Sequence, residues 1–330
     1  MSKTMSKKSN FLAVCLRGSG QVFFMENQVT GAFFLAAIAY ASYVSTQWAI
    51  AIGAVVGLVV ATLTANWLQC DQKSIDAGLF GFNGILVGVA LPTFVADSAA
   101  LWFLLVFGAA ASTVITSAVA STLTKTWAIP GSTGPFVLTG WLLAACAYSF
   151  GGLELISEKP ELGTDYLQGL VTIPSAPELL EIFFRNIAQV FLLGSAISGV
   201  LVLIGIFMAS VPAGIAAALG SLIAMVVAIG MKANPIEVSQ GLYGFSPVLT
   251  AIAVGVVFLQ PSWRVAVYAG LATVVTVFVQ GALDIIMLPD GLPSFTAPYV
   301  LTMYLFIAPK KMMAPHPHSH IQSDHLLEKS

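Results

Sequence analysis

Residues 78–90 read GLFGFNGILVGVA, and residues 241–253 read GLYGFSPVLTAIA. The two blocks are separated by 163 residues (241 − 78). The same separation relates IPGSTGPFVLT at 129–139 to LPSFTAPYVLT at 292–302. Glycine, proline, threonine and aromatic residues keep their places in these pairs, which apolar composition alone does not explain.

A third pair of similar blocks precedes the other two in each half of the chain. It consists of RGSGQVFFMENQVTG at 17–31 and RNIAQVFLLGSAISG at 185–199, which are 168 residues apart (185 − 17). Three blocks that recur in the same order indicate that the chain is a duplication.

The composition predicts that both halves lie in a membrane. Of 330 residues, 58% are apolar and only 8% carry a charge, whereas a soluble domain carries roughly 25% charged residues. A soluble enzyme is therefore excluded, because too few charges are present to cover its surface. The formal net charge of −2 argues against a nucleic-acid partner, which calls for basic patches.

Apolar runs recur along the chain and predict ten crossings of the lipid bilayer, five in each half. In the first half they lie near residues 29–49, 50–69, 78–94, 99–120 and 135–149. In the second half they lie near residues 194–209, 211–230, 241–259, 264–286 and 297–308. Several are shorter than the roughly 20 residues that a full crossing needs. Short segments at matching places in two halves indicate broken helices around a central site.

An odd number of crossings inverts the second half relative to the first, so the two-fold axis that relates them lies in the membrane plane. The predicted fold is an all-α integral membrane protein with two inverted five-helix repeats, whose broken or half helices surround a central pore. We expect a cytoplasmic N-terminus at 1–10, a first membrane repeat at 11–150 and an extracytoplasmic connector at 151–181. A second, inverted membrane repeat at 182–309 and a cytoplasmic His-containing tail at 310–330 follow.

The distribution of charge supports a topology with both termini in the cytoplasm. The expected location is the cell membrane, by preference the inner membrane of a bacterium. The basic residues expected on the inside are Lys73, Lys125, Arg264, Lys310 and Lys311. The connector, Asp97 and Asp290 are expected on the outside. Only Lys159, Lys232 and Arg185 oppose the positive-inside rule.

The blocks at 129–139 and 292–302 each contain a threonine between two prolines. Thr133 follows Pro130 by three residues, and Thr296 follows Pro293 in the same way. Prolines interrupt a helix and leave carbonyl groups without partners, and a membrane tolerates such backbone only beside a water-filled cavity or inside protein. We expect these segments to offer a row of hydrogen-bond acceptors. The alternative is a proline kink stabilised by a threonine.

Two glutamines occupy matching apolar surroundings. Gln21 and Gln189 each offer a carbonyl acceptor and an amide donor without charge. The alternative is that each bonds a neighbouring helix. Arg17 and Arg185 lie four residues earlier, and we expect them to extend to the membrane surface or to cap helix ends.

Aromatic and aliphatic side chains recur four residues apart in the first quoted pair. Phe82 precedes Leu86, and Phe245 precedes Leu249. Residues at this spacing share a helix face, so we expect the two phenylalanines to face each other across a flat slot. The alternative is glycine-mediated helix packing with lipid-facing aromatics.

The membrane part lacks the residues that metal binding, enzyme catalysis and ion coupling need. The histidines are His316, His318, His320 and His325, all in the tail. The three cysteines are single, and no nucleophile–base set or phosphate loop is present, so no cofactor, no membrane metal site and no enzyme activity is predicted. The candidate acids are few: Glu26 and Asp284 lie at span ends and Glu181 lies at the connector, which disfavours ion coupling. The tail sequence HPHSHIQSDH is compatible with a divalent metal or with a solvated tail.

An uncharged, aromatic-walled slot lined with oxygen acceptors suits a small, flat, neutral hydrogen-bond donor. The chain resembles the urea transporter family over about residues 11–310, in the two QVF segments, the GLFGFNG/GLYGFSP pair and the IPGSTGPF/LPSFTAPY pair. The last of these resembles the family's Leu-Pro-x-x-Thr signature, with Ile129 in place of leucine in the first copy.

The resemblance implies a homotrimer in which every protomer conducts urea passively through its own pore. It implies two outer sites and a centre, with the pore residues Gln21, Val22, Phe82, Leu86, Thr133, Gln189, Val190, Phe245, Leu249 and Thr296. Asn83 and Gly84 correspond to Ser246 and Pro247, so the two mouths are expected to differ. The alternatives are a channel for another small neutral solute (a short amide, ammonia or water), an ion-coupled secondary transporter, and a membrane enzyme acting on urea or an amide.

Overall fold

The computed structural model describes residues 10–156 and 174–312. The first half contains the helices α1 (Phe11–Gly20), α2 (Gln28–Ser45), α3 (Trp48–Trp67), α4 (Gln72–Asp76), α5 (Gly81–Phe94), α6 (Ala99–Val119), α7 (Lys125–Trp127) and α8 (Gly134–Ala147). The second half contains α9 (Ala176–Ala188), α10 (Ala196–Ala209), α11 (Val211–Gly230), α12 (Pro235–Gln240), α13 (Phe245–Ile252), α14 (Trp263–Met287) and α15 (Ala297–Ile307). A π-helical turn, Ala120–Thr124, joins α6 to α7, and another, Ala253–Val257, continues α13.

Within the described residues, five helical segments are long and apolar enough to cross a membrane. They are Gln28–Ser45, Trp48–Trp67, Ala99–Trp127, Val211–Gly230 and Trp263–Asp290. A sixth is obtained if Ala176–Phe191 and Ala196–Ala209, which are bent by 72° at their junction, are taken as one span. The described residues therefore form an all-α membrane protein, with β structure limited to one isolated bridge between Val95 and Leu155.

Only some of the ten predicted crossings correspond to helices that are long enough to span a membrane. The expected segments at 78–94, 135–149 and 297–308 are helices of 14, 14 and 11 residues, which are shorter than the roughly 20 residues of a full crossing. They are half helices of the predicted kind. The helices α1 and α9 were missed as elements, because each is short and is interrupted by an arginine.

The helix α9 begins at Ala176, within the segment 151–181 that the sequence assigns to the connector. A capping box starts this helix. The backbone N–H of Ser175 donates to Glu178 Oε2 at 2.6 Å, and the Ser175 hydroxyl donates to the same oxygen at 2.7 Å. At the other end of the chain, the helical turn Ala308–Met312 extends into the predicted tail, and the histidines lie outside the described residues.

The two halves repeat each other in backbone conformation as well as in sequence. Asn27 caps α2 and Ser195 caps α10 at matching positions. Gly78 and Gly241 both adopt a left-handed conformation, with φ of 81° and 82°. Non-glycine residues that match, such as Ser132 and Phe295, share a φ of 47°, a conformation that is costly for such residues. This agreement supports the duplication that the sequence predicts.

The halves meet where α2 packs against α10. The Thr30 hydroxyl donates to Gly205 O at 2.7 Å, and the Ser198 hydroxyl donates to Ala37 O at 2.9 Å. Thr30 matches Ser198, and Ala37 matches Gly205, with the 168-residue offset of this region. Since the partners run in opposite order along the two helices, α2 and α10 are antiparallel. An inverted duplication predicts such a contact, and the inversion itself stays a prediction.

Aromatic rings fill the core beside this contact. Phe23, its counterpart Phe191 and Phe34 form a triangle with ring centroids 5.2, 5.4 and 5.9 Å apart. The outer surface is also apolar, with Trp67 and Phe103 exposed by 81% and 75%. A buried aromatic core inside an apolar exterior is the pattern expected of a protein that is surrounded by lipid.

Candidate permeation site

The two signature threonines meet at the centre of the molecule. The Thr296 hydroxyl donates a hydrogen bond to the Thr133 hydroxyl over 2.7 Å. Both side chains are buried, with only 1% and 2% of their surface exposed. The sequence places these residues 163 positions apart, and the structure brings them into contact.

The broken helices explain how these threonines reach the centre. Thr133 is the N-cap of α8 and Thr296 is the N-cap of α15, and neither side chain bonds its own helix. Left-handed residues, Ser132 and Phe295, stand immediately before them. Two helix N-termini therefore begin beside the threonine pair, and their dipoles place partial positive charge there.

Each predicted glutamine is held by its own half of the chain. Gln21 Nε2 donates to Ala77 O at 2.9 Å, and Gln189 Nε2 donates to Gln240 O at 2.9 Å. Ala77 precedes the block that contains Phe82, and Gln240 precedes the block that contains Phe245. Each glutamine is thus bonded to a neighbouring element of its own repeat, as the alternative interpretation proposed.

The arginines one turn earlier repeat the same relationship. Arg17 Nη1 donates to Asp76 O at 2.7 Å, and Arg185 Nη1 donates to Ser239 O at 2.9 Å. The acceptors belong to the last turns of α4 and α12. The expectation that these arginines cap helix ends is confirmed, and the cation lies where the helix dipole favours it.

The remaining predicted residues are all buried. They are Val22, Phe82, Leu86, Val190, Phe245 and Leu249. Phe82 borders a cavity of about 40 Å³ with Thr116, Ser132 and Pro135. Among the residues that the structure describes, no ring contact joins Phe82 to Phe245, so the slot between these two rings stays a prediction.

An aromatic contact that sequence reasoning missed crosses between the halves. Phe24 has a φ of 65°, and its ring packs against Phe258 and Tyr299 with centroids 5.7 and 6.1 Å apart. The Tyr299 hydroxyl lies 2.6 Å from the Ser132 hydroxyl. Phe24 is the second phenylalanine of QVFF, and Tyr299 is the tyrosine of TAPY. Their places in repeated blocks were the sequence signal that could have pointed to them.

The two halves differ at Asn83, as the sequence predicts. Its side chain donates to Thr116 Oγ1 at 3.1 Å and accepts from the backbone N–H of Phe136 at 3.1 Å. Asn83 thereby ties α5 to α6 and to the start of α8. The matching residue, Ser246, is fully buried and its hydroxyl has no hydrogen-bond partner. Only the first repeat therefore carries this side-chain anchor.

Metal and redox chemistry find no support in the described ranges. No group of three or more His, Cys, Asp or Glu residues in residues 10–156 and 174–312 is arranged to hold a metal ion. The cysteines described there, Cys15, Cys70 and Cys146, are unpaired thiols.

Comparison with known proteins decides which group of membrane proteins this site belongs to. The sequence model of the urea transporter family matches residues 12–311. The chain belongs to the urea transporter family. Urea transporter 1 of the goat (Capra hircus) is 30% identical over 305 residues, which are 90% of this chain and 76% of the goat protein. Urea transporter 1 of the sheep (Ovis aries) has the same identity and coverage, and that of the rat (Rattus norvegicus) is 29% identical over 306 residues, with 90% and 76% coverage.

Membership in the urea transporter family has two direct consequences. The protein is a transport protein rather than an enzyme. The matched range also includes both QVF segments and both signature threonines, so the repeated blocks are part of what relates this chain to the family.

Proposed function

We propose that this chain is a passive, channel-like urea transporter whose narrowest point is formed by Thr133 and Thr296. The observation that carries this proposal is the 2.7 Å contact between the two hydroxyls at the meeting point of the repeats. Urea is flat and neutral, and its N–H groups are hydrogen-bond donors. The two threonine hydroxyls bond each other. When urea arrives, a hydroxyl oxygen can accept from a urea N–H in place of this bond, so little free energy is lost.

Urea loses its hydrating water when it enters a buried path. A polar group that is buried without a partner costs about 1–3 kcal/mol, so urea needs acceptors along the whole path. We propose that Gln21, Val22, Phe82 and Leu86 form one outer site. Their counterparts Gln189, Val190, Phe245 and Leu249 form the other, and the threonines form the centre. Each mouth combines a glutamine oxygen with an apolar wall for the flat face of the solute.

The same geometry disfavours cations. The N-termini of α8 and α15 begin at the threonine pair, and helix N-termini carry partial positive charge. Positive ends of half helices exclude protons and cations from other neutral-solute pores. The ten proposed pore residues include no carboxylate, so we propose that transport is not coupled to an ion gradient.

We further propose that the protein is a homotrimer with both termini in the cytoplasm, in the inner membrane of a bacterium. The resemblance to the urea transporter family supports the trimer. The positions of the basic residues support the orientation, since Lys73, Lys125 and Arg264 fall on one side of the predicted membrane.

Stopped-flow light scattering on proteoliposomes tests passive urea transport directly. Under an inward urea gradient, we expect urea to enter faster than into protein-free liposomes, at a rate that a protonophore and collapse of the sodium gradient leave unchanged. Formamide, ammonia and water permeabilities measured in the same vesicles separate a urea channel from a channel for another solute. Uptake that stops when an ion gradient is collapsed would contradict the proposal.

A further inference from the structure

A second cavity lies away from the threonine pair, on the other side of Arg185. It has a volume of about 230 Å³ and lies between α9 and the turn that joins α11 to α12. Its charged lining residues are Glu178, Glu181, Arg185 and Lys232. Two carboxylates and two cations therefore share one small cavity, within a chain that has few charges.

These charges are only partly satisfied by one another. Arg185 Nη2 forms an ion pair with Glu181 at 2.7 Å, while Arg185 Nε is buried without a hydrogen-bond partner. Glu178 Oε2 accepts two bonds from Ser175. The Lys232 ammonium forms no hydrogen bond or ion pair with the residues that the structure describes. Within the described residues, Lys232 is thus open to an anionic group and the carboxylate oxygens of Glu178 and Glu181 to an ammonium, while Arg185 contributes its positive charge rather than the buried Nε–H.

Exposed apolar side chains adjoin the lining residues in sequence. Leu180, Met231 and Ile236, the neighbours of Glu181, Lys232 and Pro235, are exposed by 61%, 65% and 61%. In a membrane protein such side chains contact lipid, while lysine and arginine extend to the headgroup level. Charged side chains next to exposed apolar ones are the pattern expected near lipid headgroups.

The first half has no counterpart of this charge cluster. The positions that match Glu178, Glu181 and Lys232 are occupied by Asn10, Ala13 and Gln69. The features of the permeation site occur twice, once in each repeat, whereas this cluster occurs once. The cluster is therefore not one of the features that the two repeats share, and a site built on it does not depend on urea being the solute.

We propose that this cavity binds the headgroup of a phospholipid that carries both a phosphate and a primary ammonium, as phosphatidylethanolamine does. The phosphate lies between Lys232 and the guanidinium of Arg185, and the ammonium lies against Glu178 and Glu181. Charge-assisted bonds of this kind are roughly twice as strong as neutral ones. A choline headgroup lacks N–H donors for the carboxylates, and a glycerol headgroup leaves the carboxylates without a cation.

The test is lipid-specific stabilisation of the full-length protein in detergent. Thermal unfolding is followed after addition of phosphatidylethanolamine, phosphatidylcholine or phosphatidylglycerol with identical acyl chains, and after addition of free phosphoethanolamine. We expect the midpoint of unfolding to rise more with phosphatidylethanolamine than with the other two lipids, and to stay unchanged with free phosphoethanolamine.

Two variants assign the effect to the cavity without disturbing the fold. Lys232→Gln introduces the residue that already occupies the matching left-handed position, where Gln69 has a φ of 54° and Lys232 one of 56°. Glu178→Gln keeps an oxygen for the capping box and removes the charge. Both variants should lose the preference for phosphatidylethanolamine over phosphatidylcholine, whereas Lys125→Gln, on the exposed helix α7, should keep it.

Three results would overturn the proposal. The first is equal stabilisation of the unmodified protein by phosphatidylethanolamine and phosphatidylcholine. The second is an unchanged preference in both cavity variants. The third is stabilisation by free phosphoethanolamine that equals the effect of the lipid, which would make the ligand a soluble solute.

Discussion

Thr296 donates its hydroxyl hydrogen to Thr133 over 2.7 Å, and this bond joins the two signature blocks of the chain beside the Ser132–Tyr299 contact. Each threonine begins a half helix, and neither uses its hydroxyl to cap that helix. In a soluble protein, an N-cap threonine normally accepts a bond from its own helix. Here both hydroxyls are turned to each other, which is the arrangement expected of side chains that serve a passing solute.

The glutamines predict a test of the two mouths. Gln21→Leu and Gln189→Leu each remove a 2.9 Å bond to a backbone carbonyl and an acceptor for urea. We expect each variant to lower urea permeability several-fold, as measured by light scattering in proteoliposomes. Gln47→Leu is the matched control, since the Gln47 side chain does not cap α3. Full urea permeability in both mouth variants would exclude the glutamines from the path.

Removal of the Tyr299 hydroxyl, which bonds Ser132 of the other half, should lower the stability of the protein. Tyr299→Phe removes the bond between Tyr299 and Ser132 and leaves the Ser132 hydroxyl unpaired, which should lower the free energy of unfolding by about 1 kcal/mol. Thermal unfolding in detergent measures the change. Tyr43→Phe, at a side chain that is 65% exposed, should leave the midpoint unchanged. Equal midpoints for Tyr299→Phe and the unmodified protein would show that this bond adds nothing.

Asn83 and Ser246 occupy matching positions and predict opposite outcomes. Asn83→Ser deprives the Phe136 N–H of its partner, so we expect lower stability and slower urea entry. Ser246→Ala removes a buried hydroxyl that has no partner, so we expect unchanged or slightly higher stability. Unfolding midpoints and urea permeabilities of the two variants provide the comparison. The interpretation fails if both substitutions lower stability equally.

Close backbone approach at the start of α2 predicts that one glycine cannot be replaced. A Cβ atom at Gly31 would lie 1.8 Å from Leu16 O, and Gly199 has the same relationship to Phe184 O at 1.9 Å. We expect Gly31→Ala to prevent formation of the folded protein, as judged by size-exclusion chromatography after extraction. Gly230→Ala, where nothing lies within 4 Å, should yield folded protein. A monodisperse Gly31→Ala protein would contradict the described packing of α1 on α2.

Much of this arrangement could be predicted from the sequence. The repeated blocks indicated the duplication, the half helices and the residues of the candidate site, because glycine, proline and threonine keep their places in both copies. The helices α1 and α9 were missed, because an arginine and a short apolar run are typical of a polar terminus or connector. In the structure both segments form helices, and their arginines donate to carbonyls at the ends of α4 and α12, which are distant in sequence.

Contacts between the halves were beyond sequence reasoning. Nothing in the spacing of residues relates Phe24 to Tyr299, or Thr30 to Gly205, since such pairs depend on how two complete repeats pack. The threonine pair was predicted as two central residues, but their direct hydrogen bond required the three-dimensional structure. The charged cavity was also missed, because Lys232 lies on the turn after α11, far in sequence from the three charged residues of α9.

Thr133 and Thr296 are proposed to form the narrowest point of a urea path. Urea permeability is measured in proteoliposomes that contain Thr133→Val, Thr296→Val or the double variant, with Thr122→Val as control. Valine keeps the shape and removes the hydroxyl, so each single variant should slow urea entry by roughly tenfold, equivalent to about 1.4 kcal/mol. The double variant should be no faster, and the control should match the unmodified protein. Unchanged urea entry through the double variant, in protein shown to be folded, would contradict the account.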